Sequence, residues 1–156
     1  MAKQLEVGDK APAFSMTRDG GGKVSLADLK GKKVVLYFYP KDDTPGCTTE
    51  AIEFTRLKPE FARAGAEVIG VSRDSVAKHE KFAAKHKLAV ALGADEDGTV
   101  TEAYGVWQEK SLYGRKYMGI MRATFLIDGD GVIRQVWPKV SVKGHADEVL
   151  AAVQAL

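Results

Sequence analysis

The sequence predicts an α/β protein built on a mixed central β-sheet with helices on both faces, and three observations carry that expectation. KKVVLYFY, residues 32–39, is a near-continuous β-branched and aromatic run, the composition of a strand buried on both faces. Segments of strand and helix character then alternate, the order that lays helices against a sheet. Near the end, ATFLID, GDG and VIRQVW read as strand, turn and strand. That hairpin makes the sheet mixed rather than purely parallel.

The elements follow in order. The Gly-rich DGGGK at 19–23 is a hairpin tip between short strands. After the strand at 32–39, a helix is expected from about Pro45 to Arg56. Pro59 is expected to start a second helical piece, because proline suits a first turn and not a helix interior. AEVIGVS at 66–72 is the next strand, and DSVAKHEKFAAKHK is a helix with Asp74 or Ser75 as its N-cap. A short strand near 89–92, a helical turn near 100–104 and the strand at 123–128 come next. HADEVLAAVQAL closes the chain as a helix.

A chain of 156 residues, 45% hydrophobic and 28% charged, has the profile of one globular domain. Its 23 basic and 21 acidic residues are spread evenly and leave a net charge of +2. Neither a nucleic acid nor a membrane is an expected partner. MAKQLEVGDK has no apolar centre and does not read as a secretory signal. A single cysteine cannot form an internal disulfide, so a reducing cytoplasm is the expected location.

That one cysteine lies in DDTPGCTTEA, residues 42–51. With Thr44 at the N-cap and Pro45 as the first helical residue, Cys47 falls in the first turn. The amides there have no intrahelical partner and carry the positive end of the helix dipole. A free cysteine, with pKa about 8.5, is only a few per cent ionised at neutral pH. The dipole contributes ~0.3–1 kcal/mol, so a strongly populated thiolate needs a nearby cation as well. Arg122, in GIMRATFLID, is the candidate. If 123–128 runs antiparallel to 34–39, the start of the later strand lies beside the end of the earlier one, where the helix begins. An arginine also offers a rigid fork of donors to a substrate oxygen. Thr44 either caps the helix or points at the thiolate and its substrate. Pro40 ends the strand and closes one side of a pocket without an N–H. Glu50 is either a carboxylate favoured by the dipole or a partner that orients an arginine. A lone cysteine is most often a small buried hydrophobe; the Thr-Pro-Gly context at a helix start argues instead for a reactive thiol.

PKDDTPGCTTE, residues 40–50, resembles the active-site pattern of the peroxiredoxins: proline, three residues, threonine, two residues, cysteine. The resemblance extends through VVLYFYP, GVSRDSVAKHEKF, YGVWQEK, GIMRATFLIDGDGVI and VKGHADEVL. Their order is similar to the bacterioferritin-comigratory, Q-type branch. The resemblance implies a thioredoxin-like fold, as one domain over 1–156, and a thiol peroxidase for hydrogen peroxide and alkyl hydroperoxides that uses no cofactor. It implies that Cys47 attacks the peroxide and becomes a sulfenic acid, that Thr44 and Arg122 hold and polarise the peroxide oxygens, and that Pro40 shields the pocket. Members of this branch carry a resolving cysteine where this chain has Ile52, or near the position of Ala83. The expected recycling thiol is therefore external: thioredoxin, glutathione with glutaredoxin, another small thiol, or Cys47 of a second molecule. A monomer or homodimer is expected.

Other signals carry less. DGGGKVS lacks the first glycine of a phosphate loop, and GADEDGTVTEAY lacks the end ligands of a calcium loop. His79 and His86 share a helix and are expected to be solvated, His145 is expected to serve the last helix start, and no set of these residues has metal spacing. Phe82, Tyr104 and Trp107 are read as core, Trp107 lying near the family's active-site loops. A thiol–disulfide oxidoreductase and a peroxide sensor are the competing readings; the first lacks a second cysteine in Cys47-Thr48-Thr49-Glu50.

Overall fold

A computed structural model of the chain describes residues 4–156. In chain order the strands are β1 (Ser15–Arg18), β2 (Lys23–Ser25), β3 (Lys33–Phe38), β4 (Ala66–Ser72), β5 (Ala91–Ala94), β6 (Trp107–Leu112), β7 (Arg115–Ile120), β8 (Ala123–Ile127) and β9 (Ile133–Trp137). The helices are α1 (Pro45–Arg63), α2 (Val76–His86), α3 (Thr99–Ala103) and α4 (His145–Gln154). Seven strands make one sheet in the order β2-β1-β5-β4-β3-β8-β9. Within it β3, β4 and β5 are parallel, while β8 pairs antiparallel with β3 and β9 with β8. The sheet is mixed, as the GDG hairpin requires.

Every side chain from Val34 to Phe38 is buried, because β3 lies in the middle of the sheet with an apolar layer on each face. Val35, Tyr37 and Tyr39 pack beneath α1, α2 and α4 through Phe54, Phe61, Phe82, Val149 and Val153. Val34, Leu36 and Phe38 meet Phe14, Met16, Val100 and Tyr104 on the other face. Tyr37 stacks on Phe54 with ring centroids 4.6 Å apart, which fixes α1 over the sheet.

Two expectations are corrected. α1 does not stop near Arg56; it runs unbroken to Arg63 with Pro59 inside it. Pro59 deprives the Thr55 carbonyl of its helical donor, but Phe54 and Leu57 before it and Phe61 after it are buried in one cluster. Tertiary packing holds the helix through the proline. The second correction is an added element: β6 and β7 form a separate antiparallel ribbon that the sequence reading did not contain. Its polar strands, WQEKSL and RKYMGI, show little apolar alternation. Its two-residue turn is Tyr113-Gly114, both at positive φ, where Asn-Gly is the usual signal.

The other boundaries agree closely. β4 spans the expected residues, α2 is capped by the Ser75 hydroxyl accepting from the Lys78 amide at 3.2 Å, and β5 lies two residues later than expected. Among the described residues no helix is long and apolar enough to cross a membrane.

Candidate active site

The strand pairing brings the site together. Phe38, the last residue of β3, is in register with Ala123, the first of β8. Arg122 therefore stands beside the point where the chain leaves β3 through Tyr39 and the half-buried Pro40 toward α1. Thr44 is the N-cap, in extended conformation, and Pro45 is the first helical residue. The Thr44 hydroxyl does not cap: it donates to the Lys41 carbonyl at 2.9 Å. The first intrahelical bond of this turn runs from the Thr48 amide to the Thr44 carbonyl. The Gly46 and Cys47 amides precede it and lack a side-chain cap.

The Cys47 thiol is 1% exposed. Nη2 of Arg122 donates to its Sγ at 3.2 Å, while Nη1 donates to Glu50 Oε1 at 2.7 Å. A Cβ at position 46 would stand 3.1 Å from that Nη2, so the absence of a side chain at Gly46 gives the guanidinium its place. Glu50 thus makes the contact that one of its two expected roles, orienting the arginine, requires. Burial pushes its carboxyl pKa up to about 7, against the opposing pull of the Arg122 charge. Its second oxygen, Oε2, is buried without a hydrogen-bond partner, as is the Tyr37 hydroxyl. Burial, then the charges of Glu50 and Cys47, hold Tyr37 neutral, well above its ordinary pKa.

Lys110 of β6 is a neighbour the sequence reading missed. Burial and then the Arg122 charge lower its pKa, and the charge of Cys47 opposes them. The ribbon thus brings a second cation toward the thiol. Trp107, at the base of the ribbon, is half-buried under Arg73, whose guanidinium carbon stands 3.4 Å from the ring centroid.

His79 departs from expectation. It is fully buried rather than solvated. Nδ1 lies 2.6 Å from Asp42 Oδ2 and Nε2 lies 2.9 Å from the Gly93 carbonyl. The Tyr39 hydroxyl donates to the other carboxylate oxygen of Asp42. Its α2 neighbour His86 bonds Asp43 at 3.0 Å, beside Lys85 at 2.8 Å. His145 opens α4, as expected, with Nε2 2.8 Å from the Thr124 hydroxyl. Ile52 is 42% exposed on α1, and Ala83 packs against the core from α2. Among the described residues no cluster of metal-ligand type is formed.

The arrangement sets a buried sulfur in the first turn of a helix with a cation bonded to it, the kind of electropositive setting that reactive cysteines favour. Comparison with known proteins agrees. A family model described as the AhpC/TSA family matches residues 7–136. The chain is 55% identical over 146 residues to a putative peroxiredoxin bcp of Coxiella burnetii, covering 94% of this chain and 97% of that one. It is 49% identical over 150 residues to peroxiredoxin Bcp of Bacillus subtilis, covering 96% of each. Its fold superposes on the bacterioferritin comigratory protein of Xanthomonas campestris, studied for alkyl peroxide reduction, with TM-score 0.87 and 47% identity over 91% of this chain and 90% of that one. A Xylella fastidiosa PrxQ structure gives TM-score 0.93 at 39% identity, covering 99% and 98%.

Proposed function

The chain belongs to the AhpC/TSA family, among its Bcp-type peroxiredoxins, and is a thiol-dependent peroxidase; from that premise we propose that Cys47 reduces hydrogen peroxide and alkyl hydroperoxides as a one-cysteine enzyme. The observation that carries the reading is the Arg122 fork, with one nitrogen on Cys47 Sγ at 3.2 Å and the other on Glu50 at 2.7 Å. That fork sets a charged donor against the sulfur and leaves its remaining N–H groups for a substrate oxygen.

Each remaining group then has a role. The thiolate attacks the near oxygen of the peroxide, the O–O bond breaks, and the sulfur becomes a sulfenic acid. The departing oxygen leaves with the electron pair and takes up a proton, giving water or an alcohol. Unused N–H groups of Arg122 and the free first-turn amides stabilise charge on the two oxygens as the bond stretches. Because the Thr44 proton is spent on Lys41, the Thr44 lone pairs are left to accept the hydroperoxide O–H. Pro40, lacking an N–H, closes one wall without a competing donor. Glu50 holds the guanidinium in its plane.

No second thiol exists in the chain, so the sulfenic acid is resolved from outside. An external thiolate attacks the sulfenic sulfur, water leaves, and a second thiol reduces the mixed disulfide to restore Cys47. Thioredoxin, or glutathione with glutaredoxin, can supply both steps, and the need for such donors favours the reducing cytoplasm. The test is peroxide consumption with each donor in turn. Sustained turnover with one of them, lost in Cys47→Ser, supports the reading; turnover that survives Cys47→Ser rejects it.

A further inference from the structure

Among the buried polar groups that the mechanism leaves unused are the linked side chains of Tyr39, Asp42 and His79. His79 is fully buried and Asp42 nearly so, and removing such groups from water is costly unless each is fully bonded. The Gly93 carbonyl can only accept, so the Nε2 that faces it at 2.9 Å carries a proton. The other ring nitrogen lies 2.6 Å from Asp42 Oδ2. Two acceptors cannot meet at that distance, so a second proton lies between them. Imidazole and carboxyl share that proton, and the Tyr39 hydroxyl donates to the remaining oxygen of Asp42.

These bonds converge on the turn that precedes Thr44. Asp42 is held by its side chain to α2 and, through its amide, to Asp74 Oδ2 at 2.8 Å. Asp74 is fixed in turn by the Ser72 hydroxyl at 2.7 Å. Asp43, at φ 60, is tied to α2 by Lys85 and His86. Lys41, next to Asp42, supplies the carbonyl that takes the Thr44 proton. Its peptide plane is set by the residue that His79 grips.

We propose that His79, through Asp42, is a positioning residue for the peroxide-binding hydroxyl of Thr44, fixing the Lys41 carbonyl so that the Thr44 lone pairs face the substrate. This rests on the peroxidase reading and extends it to a residue that touches neither sulfur nor peroxide. The groups facing His79 are Asp42 and Tyr39 from the segment after β3, Asp74 from the segment before α2, and the Gly93 carbonyl of β5. Burial lowers the imidazole pKa, but the hydrogen bond and charge of Asp42 outweigh it and hold it above its ordinary value. The shared proton is therefore held at pH values below the ordinary imidazole range and is lost as pH rises through that raised value.

The test separates the peroxide step from thiolate formation. In His79→Phe, single-turnover oxidation by hydrogen peroxide should slow about tenfold or more, equivalent to about 1.4 kcal/mol in the barrier. Alkylation of Cys47 by iodoacetamide, which needs the thiolate but not Thr44, should change less than about twofold. Equal slowing of both reactions, or a folded variant that oxidises at the wild-type rate, overturns the proposal. Asp42→Asn guards against misfolding: its amide N–H can face a neutral Nδ1 while its oxygen still accepts from Tyr39. It should flatten the alkaline fall in oxidation rate, and a profile with that fall unchanged overturns the proposal. Loss of peroxide reactivity in the wild type would instead reject the peroxidase reading itself.

Discussion

At the scale of the residue, the site is a buried sulfur with one charged partner: Cys47 is 1% exposed, and the Arg122 guanidinium reaches its Sγ at 3.2 Å. Arg122→Ala should slow peroxide oxidation by about a hundredfold or more, the range for losing a charged transition-state donor, and should slow iodoacetamide alkylation as well. Thr44→Val should slow oxidation by about tenfold while alkylation stays near wild type, since its hydroxyl donates to the Lys41 carbonyl and not to the sulfur. Glu50 gives a pH prediction. Its pKa rises from 4.5 to about 7, so the native state prefers the protonated carboxyl. That contribution to stability is complete below pH 4.5 and lost as pH rises through about 7. Relative to Glu50→Gln, the wild type should lose up to about 3 kcal/mol of unfolding free energy between acid and mildly alkaline pH. Urea titrations of both proteins at several pH values measure it; a constant difference would place the Glu50 pKa near its ordinary value. The residues of this cluster were legible in the sequence because the cysteine motif and GIMRATFLID announce them separately. The clamp was not. His79 and Asp42 lie 37 positions apart, and neither carries a signal that the two meet.

At the scale of the element, α1 presents its first turn to the chemistry and spends the rest of its length on the core. The expected break at Pro59 failed because local preference gave way to packing: Phe54, Leu57 and Phe61 share one buried cluster on both sides of it. The ring still strains the helix interior, so Pro59→Ala should raise stability by about 1–2 kcal/mol, after allowing for the freer unfolded chain. A urea midpoint that does not rise would show that α1 accommodates the ring without cost. The first turn is tighter. A methyl at position 46 would sit 3.1 Å from Nη2 of Arg122, so Gly46→Ala should keep the fold and slow peroxide oxidation several-fold by displacing the guanidinium. The ribbon of β6 and β7 was invisible to a search for alternating apolar residues, because its strands are mostly exposed and its turn is Tyr113-Gly114. Lys110 came with it unseen.

At the scale of the whole molecule, the sheet order does the work of assembly. Placing β8 against β3 brings a cation from residue 122 to a thiol at residue 47; the two strands were legible from their buried composition, but their antiparallel pairing entered the sequence analysis only as a condition. One thiol in the chain sets the rest of the cycle. With excess peroxide and no donor, the chain should gain two oxygens as sulfinic acid and form no intrachain disulfide. The most direct measurement is stopped-flow oxidation of the reduced protein by one equivalent of hydrogen peroxide, with the product trapped as a sulfenic acid adduct. One adduct per chain is expected, at Cys47, formed at least about a thousandfold faster than on free cysteine, a difference of about 4 kcal/mol in barrier. A rate equal to that of free cysteine would contradict it, whatever the resemblance of the fold.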